Sequence, residues 1–409
     1  MRSFLFCAYV ILSLTAKAQN TDKIIMGTID SVYSNILHEN RKIWVHMPDT
    51  TSPDGIFYPQ RYPVVYLLDG DAAHVASVAS MLDQLGGGGG NTMFPQMILV
   101  GIPNTYRSRD LTPSHFTNTL SLDSMSAAQT GGGENFISFI EKELMPHIDS
   151  SYPTAPYRVL IGHSFGGLMA IHILINHTNL FNAYIAIDPS MWWDNQKLLK
   201  QVNTVLQQKN FQGRSLYLAM ANTMDKGMDT VTVKTDTNFN SLHIRSIMQL
   251  GHYLNANRQN GLAINWKYYP DYGHDAVALY AEHDGLPSIF KFYNYSIPFG
   301  EFFNPTYKGD TLLAAHYKAV SRQMGYTISP PEQLVSALAH ELCDLKQFDR
   351  AYYFLKMNIE SYSKSFNAYE TMGDFYVAKG DKQVAREFYS KALALMYLPR
   401  IKEKLDKLK

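Results

Sequence analysis

The chain has 409 residues, with 36 basic and 36 acidic side chains and therefore no net formal charge. This length is enough for a large core and a second domain. The balanced charge, without a basic cluster, excludes the usual footprint of a nucleic-acid-binding protein. Beyond the N-terminal segment no stretch is long and apolar enough to cross a membrane, so no membrane span is expected.

The first eighteen residues are typical of a secretion signal. Arg2 supplies the positive charge, residues 4–14 are apolar, and Ala16-Lys17-Ala18 matches a cleavage site. We therefore expect a secreted or periplasmic protein whose mature chain begins near Gln19. Cys7 would leave with the signal, and the remaining cysteine could form no intramolecular disulfide.

Segments of strand and helix character alternate along most of the chain, which predicts an α/β fold with a mostly parallel central sheet flanked by helices. The first two strands are expected to form an antiparallel hairpin at a sheet edge. The glycine run at 86–90 lacks the ending of a phosphate-binding loop and is interpreted as a flexible connection. The predicted strands are 30–37, 41–47, 62–68, 97–102, 157–161, 183–187, 215–220 and 264–269.

Ser164 lies in a G-x-S-x-G motif, Gly162-His163-Ser164-Phe165-Gly166, between a predicted strand and a helical stretch of small residues. The glycines permit a sharp turn that holds the serine hydroxyl at the end of the strand. The helix that follows directs its first N–H groups toward negative charge that develops on an attacked carbonyl. The motif in this setting predicts that Ser164 is a nucleophile.

A serine hydroxyl needs a base to take its proton, and His274 has the best setting among the histidines. It lies in Tyr272-Gly273-His274-Asp275, in the turn after the last predicted strand. The last loop of an α/β-hydrolase sheet carries the catalytic histidine at this place. No H-E-x-x-H or comparable spacing of ligands occurs, so neither a metal nor an organic cofactor is expected.

The acid that orients the base should come between the nucleophile and the histidine in chain order. Asp225 follows the predicted strand 215–220 through a short loop and is the first choice. Asp229, further along that loop, and Asp188, at the end of the preceding strand, remain open alternatives.

Two backbone N–H groups should stabilise the oxyanion. One belongs to Phe165, directly after the nucleophile, and the other should come from the loop after strand 62–68, at Gly70 or Asp71. Removing one such donor costs about 3 kcal/mol in comparable enzymes.

The character of the chain changes near residue 297, and four regions are predicted: a signal at 1–18, a catalytic domain at 19–297, a linker at 298–331 and a helical module at 332–409. The module carries a tetratricopeptide-like pattern, with a weaker copy 34 residues earlier, and could bind a protein partner. A helical cap without repeat ancestry is the alternative. The pattern consists of Tyr369, Met372, Gly373, Tyr376, Gly380, Ala385, Tyr389 and Ala392.

Four motifs together resemble the putative-esterase (esterase D-like) family of α/β-hydrolases. Within it the chain is most similar to siderophore esterases that open enterobactin-type trilactones, and more distantly to feruloyl esterases and mycolyl acyltransferases. The motifs are Tyr66-Leu67-Leu68-Asp69-Gly70, Arg107-Ser108-Arg109-Asp110-Leu111-Thr112-Pro113, Gly162-His163-Ser164-Phe165-Gly166-Gly167 and Asp188-Pro189-Ser190-Met191-Trp192-Trp193.

The resemblance implies an α/β-hydrolase fold with Ser164 as nucleophile and His274 as base. It also places two pairs of side chains beside the substrate, although both pairs could instead be structural. Guanidinium groups suit an anionic phenolic group and indole faces suit aromatic rings. The pairs are Arg107 with Arg109 and Trp192 with Trp193.

One departure from the family concerns the acid. Relatives commonly have Ser-Pro-Ser where this chain has Asp188-Pro189-Ser190, which adds a carboxylate at a strand end. Some siderophore esterases also work with a serine–histidine pair alone.

The resulting expectation is a secreted serine carboxylic-ester hydrolase that forms an acyl-enzyme on a small-molecule ester, such as a siderophore or aryl ester. The alternatives are an acyltransferase of the same family, a non-catalytic protein that binds partners through its repeats, and, less favoured, a peptidase.

Overall fold

A computed structural model describes residues 25–48, 60–86, 93–116 and 127–409. The predicted secretion signal and residues 87–90 of the glycine run lie outside these ranges. Within them, none of the helices combines the length and the hydrophobicity that a membrane crossing requires.

One eight-stranded sheet organises the catalytic part, in the order β1-β2-β4-β3-β5-β6-β7-β8. The β1–β2 hairpin lies at one edge, β2 pairs antiparallel with β4, and all other neighbours are parallel. The predicted α/β fold is confirmed. The strands are β1 Thr28–Ser34, β2 Glu39–His46, β3 Tyr62–Leu68, β4 Ile98–Ile102, β5 Thr154–His163, β6 Ala183–Ile187, β7 Ser215–Ala221 and β8 Ala263–Tyr269.

Four central strands, β3, β4, β6 and β7, are buried at every residue. Their continuous apolar runs fit a parallel sheet that is covered by helices on both faces. The covering helices are α1 Ala72–Leu85, α2 Arg107–Asp110, α3 Gly133–Phe139, α4 Met145–Ser151, α5 Phe165–Asn176, α6 Trp193–Gln208, α7 Leu242–Ala256 and α8 Val277–Ile289, with a π-helical turn, Ile140–Leu144, between α3 and α4.

Two apolar cores lie on opposite faces of the sheet. Helices α3 to α7 pack on one face, and α1 and α8 pack on the other. Because α5 directly follows β5 and packs in the first core, the turn between them is fixed at both ends.

The C-terminal part is entirely helical, as predicted, and forms two further cores, a larger helical core and a smaller one around Tyr389. Its helices are α9 Phe299–Phe302, α10 Gly309–Met324, α11 Glu332–Asp344, α12 Phe348–Ser361, α13 Phe366–Lys379, α14 Lys382–Leu395 and α15 Pro399–Asp406. The pair α13–α14 begins 34 residues after the pair α11–α12, since 366 − 332 = 34. This offset is the one the repeat hypothesis requires, while the tetratricopeptide ancestry and a partner-binding role stay predictions.

Helix α10 connects the two parts and lies inside the predicted linker. Leu313 and Tyr317 on this helix belong to the helical core, whereas Val320 and Met324 pack in the core beneath the sheet. The segment 298–331 is therefore packed on both sides, although the predicted domain boundaries themselves stay untested.

Gly373 and Gly251 provide a matched test of the helical packing. A Cβ atom at Gly373 in α13 would lie 2.5 Å from the Tyr389 ring of α14, whereas one at Gly251 in α7 meets nothing within 4 Å. We expect Gly373→Ala to lower the free energy of unfolding by about 1–3 kcal/mol through overpacking. Gly251→Ala should raise it by about 0.5–1 kcal/mol, because alanine is the better helix former. Urea unfolding followed by circular dichroism measures both, and equal effects would contradict the close approach of α13 and α14.

Candidate active site

Three neighbouring strands end in residues with a left-handed backbone. Asp69 after β3, Ser164 after β5 and Asp188 after β6 have φ values of 53°, 58° and 41°. Side chains other than glycine rarely adopt this conformation, and such strain concentrates at functional sites. Because the carboxyl ends of parallel strands meet at one edge of the sheet, the three residues lie together there.

The turn at Ser164 has the strand–turn–helix geometry that the motif predicts. A Cβ atom at Gly162 would lie 2.3 Å from the Gly166 carbonyl, so only glycine fits at the first motif position. Helix α5 begins at Phe165, directly after the serine. The Ser164 hydroxyl lies 3.3 Å from the Ser190 hydroxyl and makes no hydrogen bond with His274 in this structure.

Asp188 accepts a hydrogen bond from the imidazole of His274. The His274 Nδ1 group donates to Asp188 Oδ2 at 2.6 Å. The opposite nitrogen of the ring, Nε2, can therefore accept a proton from a hydroxyl group. The Asp188 side chain is fully buried, and its Oδ1 atom accepts the Ala221 N–H at 2.9 Å. The carboxylate thus fixes the ring orientation that a catalytic base requires.

A second imidazole, that of His243 on α7, bonds the same oxygen. Its Nε2 group donates to Asp188 Oδ2 at 2.8 Å. Burial opposes ionisation of Asp188, but the hydrogen bonds from His243 and His274 hold the pKa of this carboxyl well below its usual value. Sequence reasoning missed His243, because a contact across 55 residues with a mid-chain helix leaves no local motif.

His163, the motif residue before the nucleophile, lies beside the base. Its ring centroid is 4.5 Å from that of His274. Burial, together with the nearby His274, lowers the pKa of His163 to about 4. The ring is therefore neutral at physiological pH and adds no positive charge next to the base.

The predicted acid, Asp225, is not the residue that contacts His274. Asp225 is exposed, and so is Asp229, whose carboxylate accepts the backbone N–H groups of Val231 and Thr232. The physical reason lies in the turn before His274. The Tyr272 carbonyl accepts the N–H of residue 222 at the end of β7, which folds the turn back over that strand toward β6.

Of the three predicted oxyanion donors, one backbone N–H group lacks an acceptor within its helix, and the other two already donate to backbone carbonyls. Phe165 is the first residue of α5, so its N–H has no acceptor within the helix. The Gly70 N–H instead donates to the Ile102 carbonyl at 3.1 Å, and the Asp71 N–H donates to the Asp69 carbonyl at 2.9 Å. These contacts correct the prediction for Gly70 and Asp71, since strand pairing and the turn after β3 occupy both groups.

Of the two predicted arginines, Arg107 lies at the site. Its guanidinium donates to Asp69 through Nε and Nη2 at 2.7 and 3.0 Å and lies 5.2 Å from the Phe165 ring centroid. Arg109 donates from its three nitrogens to Glu39 and Asp110 and so fixes α2 on β2. That Arg109 binds substrate stays a prediction.

The two predicted tryptophans also differ. Trp193 is 2 % exposed and donates from Nε1 to the Ser114 carbonyl at 3.1 Å, so it belongs to the core and the prediction for it is corrected. Trp192 is half-buried and lies between Phe165 and the exposed ring of Phe239, with centroids 6.5 Å away from each. Phe239 was missed because a lone aromatic residue in a loop carries no pattern.

The atoms of Asp188, His243 and His274 lie within 4.8 Å of one another, close enough to hold a metal ion. In this structure both imidazoles donate to one oxygen of the buried carboxylate.

Comparisons with known proteins identify the family and the fold. Residues 34–245 match the family described as Putative esterase. The chain is 30 % identical over 225 residues to the ferri-bacillibactin esterase BesA of Bacillus subtilis. The aligned region covers 50 % of this chain and 76 % of BesA.

Two crystal structures extend the similarity. An IroE-like serine hydrolase from Shewanella oneidensis superposes with a TM-score of 0.68 at 28 % identity, covering 82 % of this chain and 99 % of the other. An uncharacterised protein from Capnocytophaga ochracea has a TM-score of 0.59 at 18 % identity and covers 93 % of this chain and 99 % of its own. The second likeness shows that the fold is shared nearly from end to end.

The contact of His243 with Asp188 predicts a role in positioning the base. We expect His243→Leu to lower the rate at which a fluorophosphonate labels Ser164 by about tenfold, since this reagent reacts with a serine that a base activates. His243→Gln should stay within about threefold of the wild type, because the glutamine Nε2 group can occupy the place of the imidazole donor.

Melting temperatures of both variants provide the control for a general loss of folding. A leucine variant that labels as fast as the wild type would exclude the positioning role. The same conclusion would follow if the glutamine variant failed to restore the rate.

Proposed function

The chain belongs to the Putative esterase family and is a carboxylic ester hydrolase, and from this premise we propose a serine hydrolase with the triad Ser164, His274 and Asp188. The observation that carries the proposal is the 2.6 Å bond from His274 Nδ1 to the buried Asp188, at the same sheet edge as the strained Ser164. Secretion, predicted from residues 1–18, is part of the proposal.

The first half of the reaction transfers the acyl group to the enzyme. His274 Nε2 takes the proton of Ser164 as its oxygen attacks the ester carbonyl, and the Phe165 N–H stabilises the oxyanion. The tetrahedral intermediate then loses the alcohol, which takes the proton from His274. The Ser164 hydroxyl must exchange its contact with Ser190 for His274, as catalytic hydrogen bonds often form only with substrate bound.

The second half regenerates the serine. Water gives a proton to His274 and attacks the acyl-enzyme, and collapse of the second intermediate releases the carboxylic acid and returns the proton to Ser164. Throughout, Asp188 stabilises the imidazolium without taking a proton itself, which suits a carboxyl whose pKa is strongly lowered. An alcohol in place of water would give the acyltransferase alternative.

The proposed substrates are esters that carry aromatic groups, with catecholate siderophore lactones as the leading class. Trp192 offers a ring 6.5 Å from that of Phe165, the residue after the nucleophile, Phe239 extends this aromatic surface, and Arg107 offers a partly exposed guanidinium. Aromatic rings and phenolic oxygens suit these groups. The name of BesA, a ferri-bacillibactin esterase, points to the same substrate class.

The triad is tested by Ser164→Ala and Asp188→Asn, with Asp225→Asn as the matched control. On p-nitrophenyl esters we expect kcat to fall by about 10⁵-fold for the serine variant and about 10³–10⁴-fold for the Asp188 variant. The Asp225 variant should stay within about threefold, since that side chain is exposed and does not contact His274. Activity that depends on Asp225 and survives without the Asp188 carboxylate would contradict the assignment.

The substrate class is tested by Phe239→Leu, with Val231→Ala from the same loop as its control. Both side chains are exposed, so neither change should affect folding. We expect Phe239→Leu to raise KM for a catecholate trilactone about fivefold, because an aromatic contact is worth about 1 kcal/mol. Hydrolysis of ethyl butyrate, followed with a pH-stat, should change less than twofold. Equal losses on both esters would argue against an aromatic subsite.

A further inference from the structure

A cluster of two histidines and a glutamate lies at the far end of α5 from the nucleophile. The His172 Nε2 group donates to Glu134 Oε1 at 2.6 Å, and the His177 Nε2 group donates to Glu134 Oε2 at 3.0 Å. All three ligand-type atoms lie within 4.8 Å of one another. The twelve residues of α5 span about 18 Å, so this cluster is separate from the catalytic centre.

We propose that Glu134, His172 and His177 form a binding site for a divalent transition-metal ion, best suited to Zn²⁺. Two imidazole nitrogens and one carboxylate oxygen are a common zinc ligand set, with water completing a tetrahedron. Oxygen-preferring ions such as Mg²⁺ do not favour imidazole ligands. The ion would lie apart from the proposed catalytic residues, so the absence of a catalytic metal motif in the sequence does not bear on it.

Metal binding requires ring nitrogens that carry no proton toward the ion. The two protons that now lie between the imidazoles and the carboxylate would therefore move to the opposite ring nitrogens, and the vacated Nε2 lone pairs and the Glu134 oxygen would face the ion.

Asn176 supplies a contact in the outer shell of the site. Its side-chain amide lies 3.1 Å from Nδ1 of His172 and 2.8 Å from the amide of Gln201. A metal-bound imidazole carries its proton on the other nitrogen and needs an acceptor there. In this structure Asn176 Nδ2 faces Nδ1 of His172 and Asn176 Oδ1 accepts from Gln201, so both amides would have to turn over on metal binding to present an oxygen to this proton.

The ligands have room to close on an ion. Neighbouring ligand atoms of a tetrahedral zinc site lie about 3.3 Å apart, so the hydrogen-bonded pairs at 2.6 and 3.0 Å must open slightly, and atoms that lie further apart must approach by about 1.5 Å at most. His177 terminates α5 with a ring that is 32 % exposed, and Glu134 is 57 % exposed, so both can move. A cavity of about 570 Å³ is lined in part by His177 and Asn176, so solvent reaches this side of the cluster.

A bound ion would connect two elements that now meet through hydrogen bonds. Glu134 lies at the start of α3, and the preceding turn is attached to the loop with Arg107, because the Gly133 N–H donates to the Thr112 carbonyl at 3.0 Å. The ion would fix this start of α3 on the end of α5. Its expected effect is therefore stabilisation of the fold, since a ligand that binds only the folded state raises the melting temperature.

Isothermal titration of untagged, chelator-treated protein with Zn²⁺ tests the site, with Mg²⁺ as the control ion. We expect one Zn²⁺ per chain, a melting temperature that rises by several degrees, and no response to Mg²⁺. His177→Ala should weaken binding at least tenfold and abolish the rise in melting temperature. His283→Ala removes an exposed histidine elsewhere and should change neither quantity.

Asn176→Asp gives a sharper readout, because a carboxylate partner raises the basicity of a ligating imidazole. An aspartate needs no turning over, because one carboxylate oxygen can accept the His172 Nδ1 proton while the other accepts from Gln201 as Asn176 Oδ1 does in this structure. We expect this variant to bind Zn²⁺ about tenfold more tightly, within the range of outer-shell effects. If the cluster were only hydrogen-bonded and had no metal affinity, neither His177→Ala nor Asn176→Asp would change the Zn²⁺ binding measured by titration.

The competing location is the cluster of Asp188, His243 and His274, whose atoms also lie within 4.8 Å of one another. Binding that persists in His177→Ala but disappears in His274→Ala would place the ion there and overturn the proposal. Absence of any stoichiometric Zn²⁺ binding by the wild type would overturn it as well.

Discussion

The catalytic edge of this protein depends on one buried carboxylate. A charge without solvent is tolerated only when hydrogen bonds replace the lost water, and Asp188 has three such bonds, from Ala221, His243 and His274. These donors come from β7, from α7 and from the turn after β8. The requirement to satisfy one anion therefore ties three separate elements to the end of β6, and the orientation of the base follows from it.

The sheet determines where that carboxylate can act. Asp69, Ser164 and Asp188 directly follow adjacent parallel strands at the same edge of the sheet. Each adopts a left-handed backbone conformation, which is strained for a residue other than glycine. Packing on both faces of the sheet compensates for this strain, because the strands that precede these residues are almost entirely buried. Arg107 joins the first two strand ends, since it donates to Asp69 and, at 3.4 Å, to the carbonyl of the residue before the nucleophile.

This balance of local and long-range contacts explains what the sequence could predict. The fold, the turn at Ser164 and the setting of His274 depend on patterns within about ten residues, and the structure has them as expected. The identity of the acid depends on the strand end toward which the turn before His274 folds. No local pattern encodes that direction, and the sequence alone therefore favours Asp225 over Asp188. Arg109 and Trp193 carry the chemistry of substrate contacts but face Glu39 and Ser114, respectively.

Placing the acid after β6 has a consequence for specificity. The start of the loop after β7 holds the turn before His274, because the Asn222 N–H donates to the Tyr272 carbonyl and the Asn222 side-chain amide donates to the Pro270 carbonyl. The later part of the loop bears Phe239, whose exposed ring lies 6.5 Å from that of Trp192. In the proposed enzyme, chemistry and substrate selection therefore reside on different strand ends, because the bonds that hold Asp188 involve none of the residues around Phe239. A family that retains one triad on one sheet can in this way change its ester by altering a single loop.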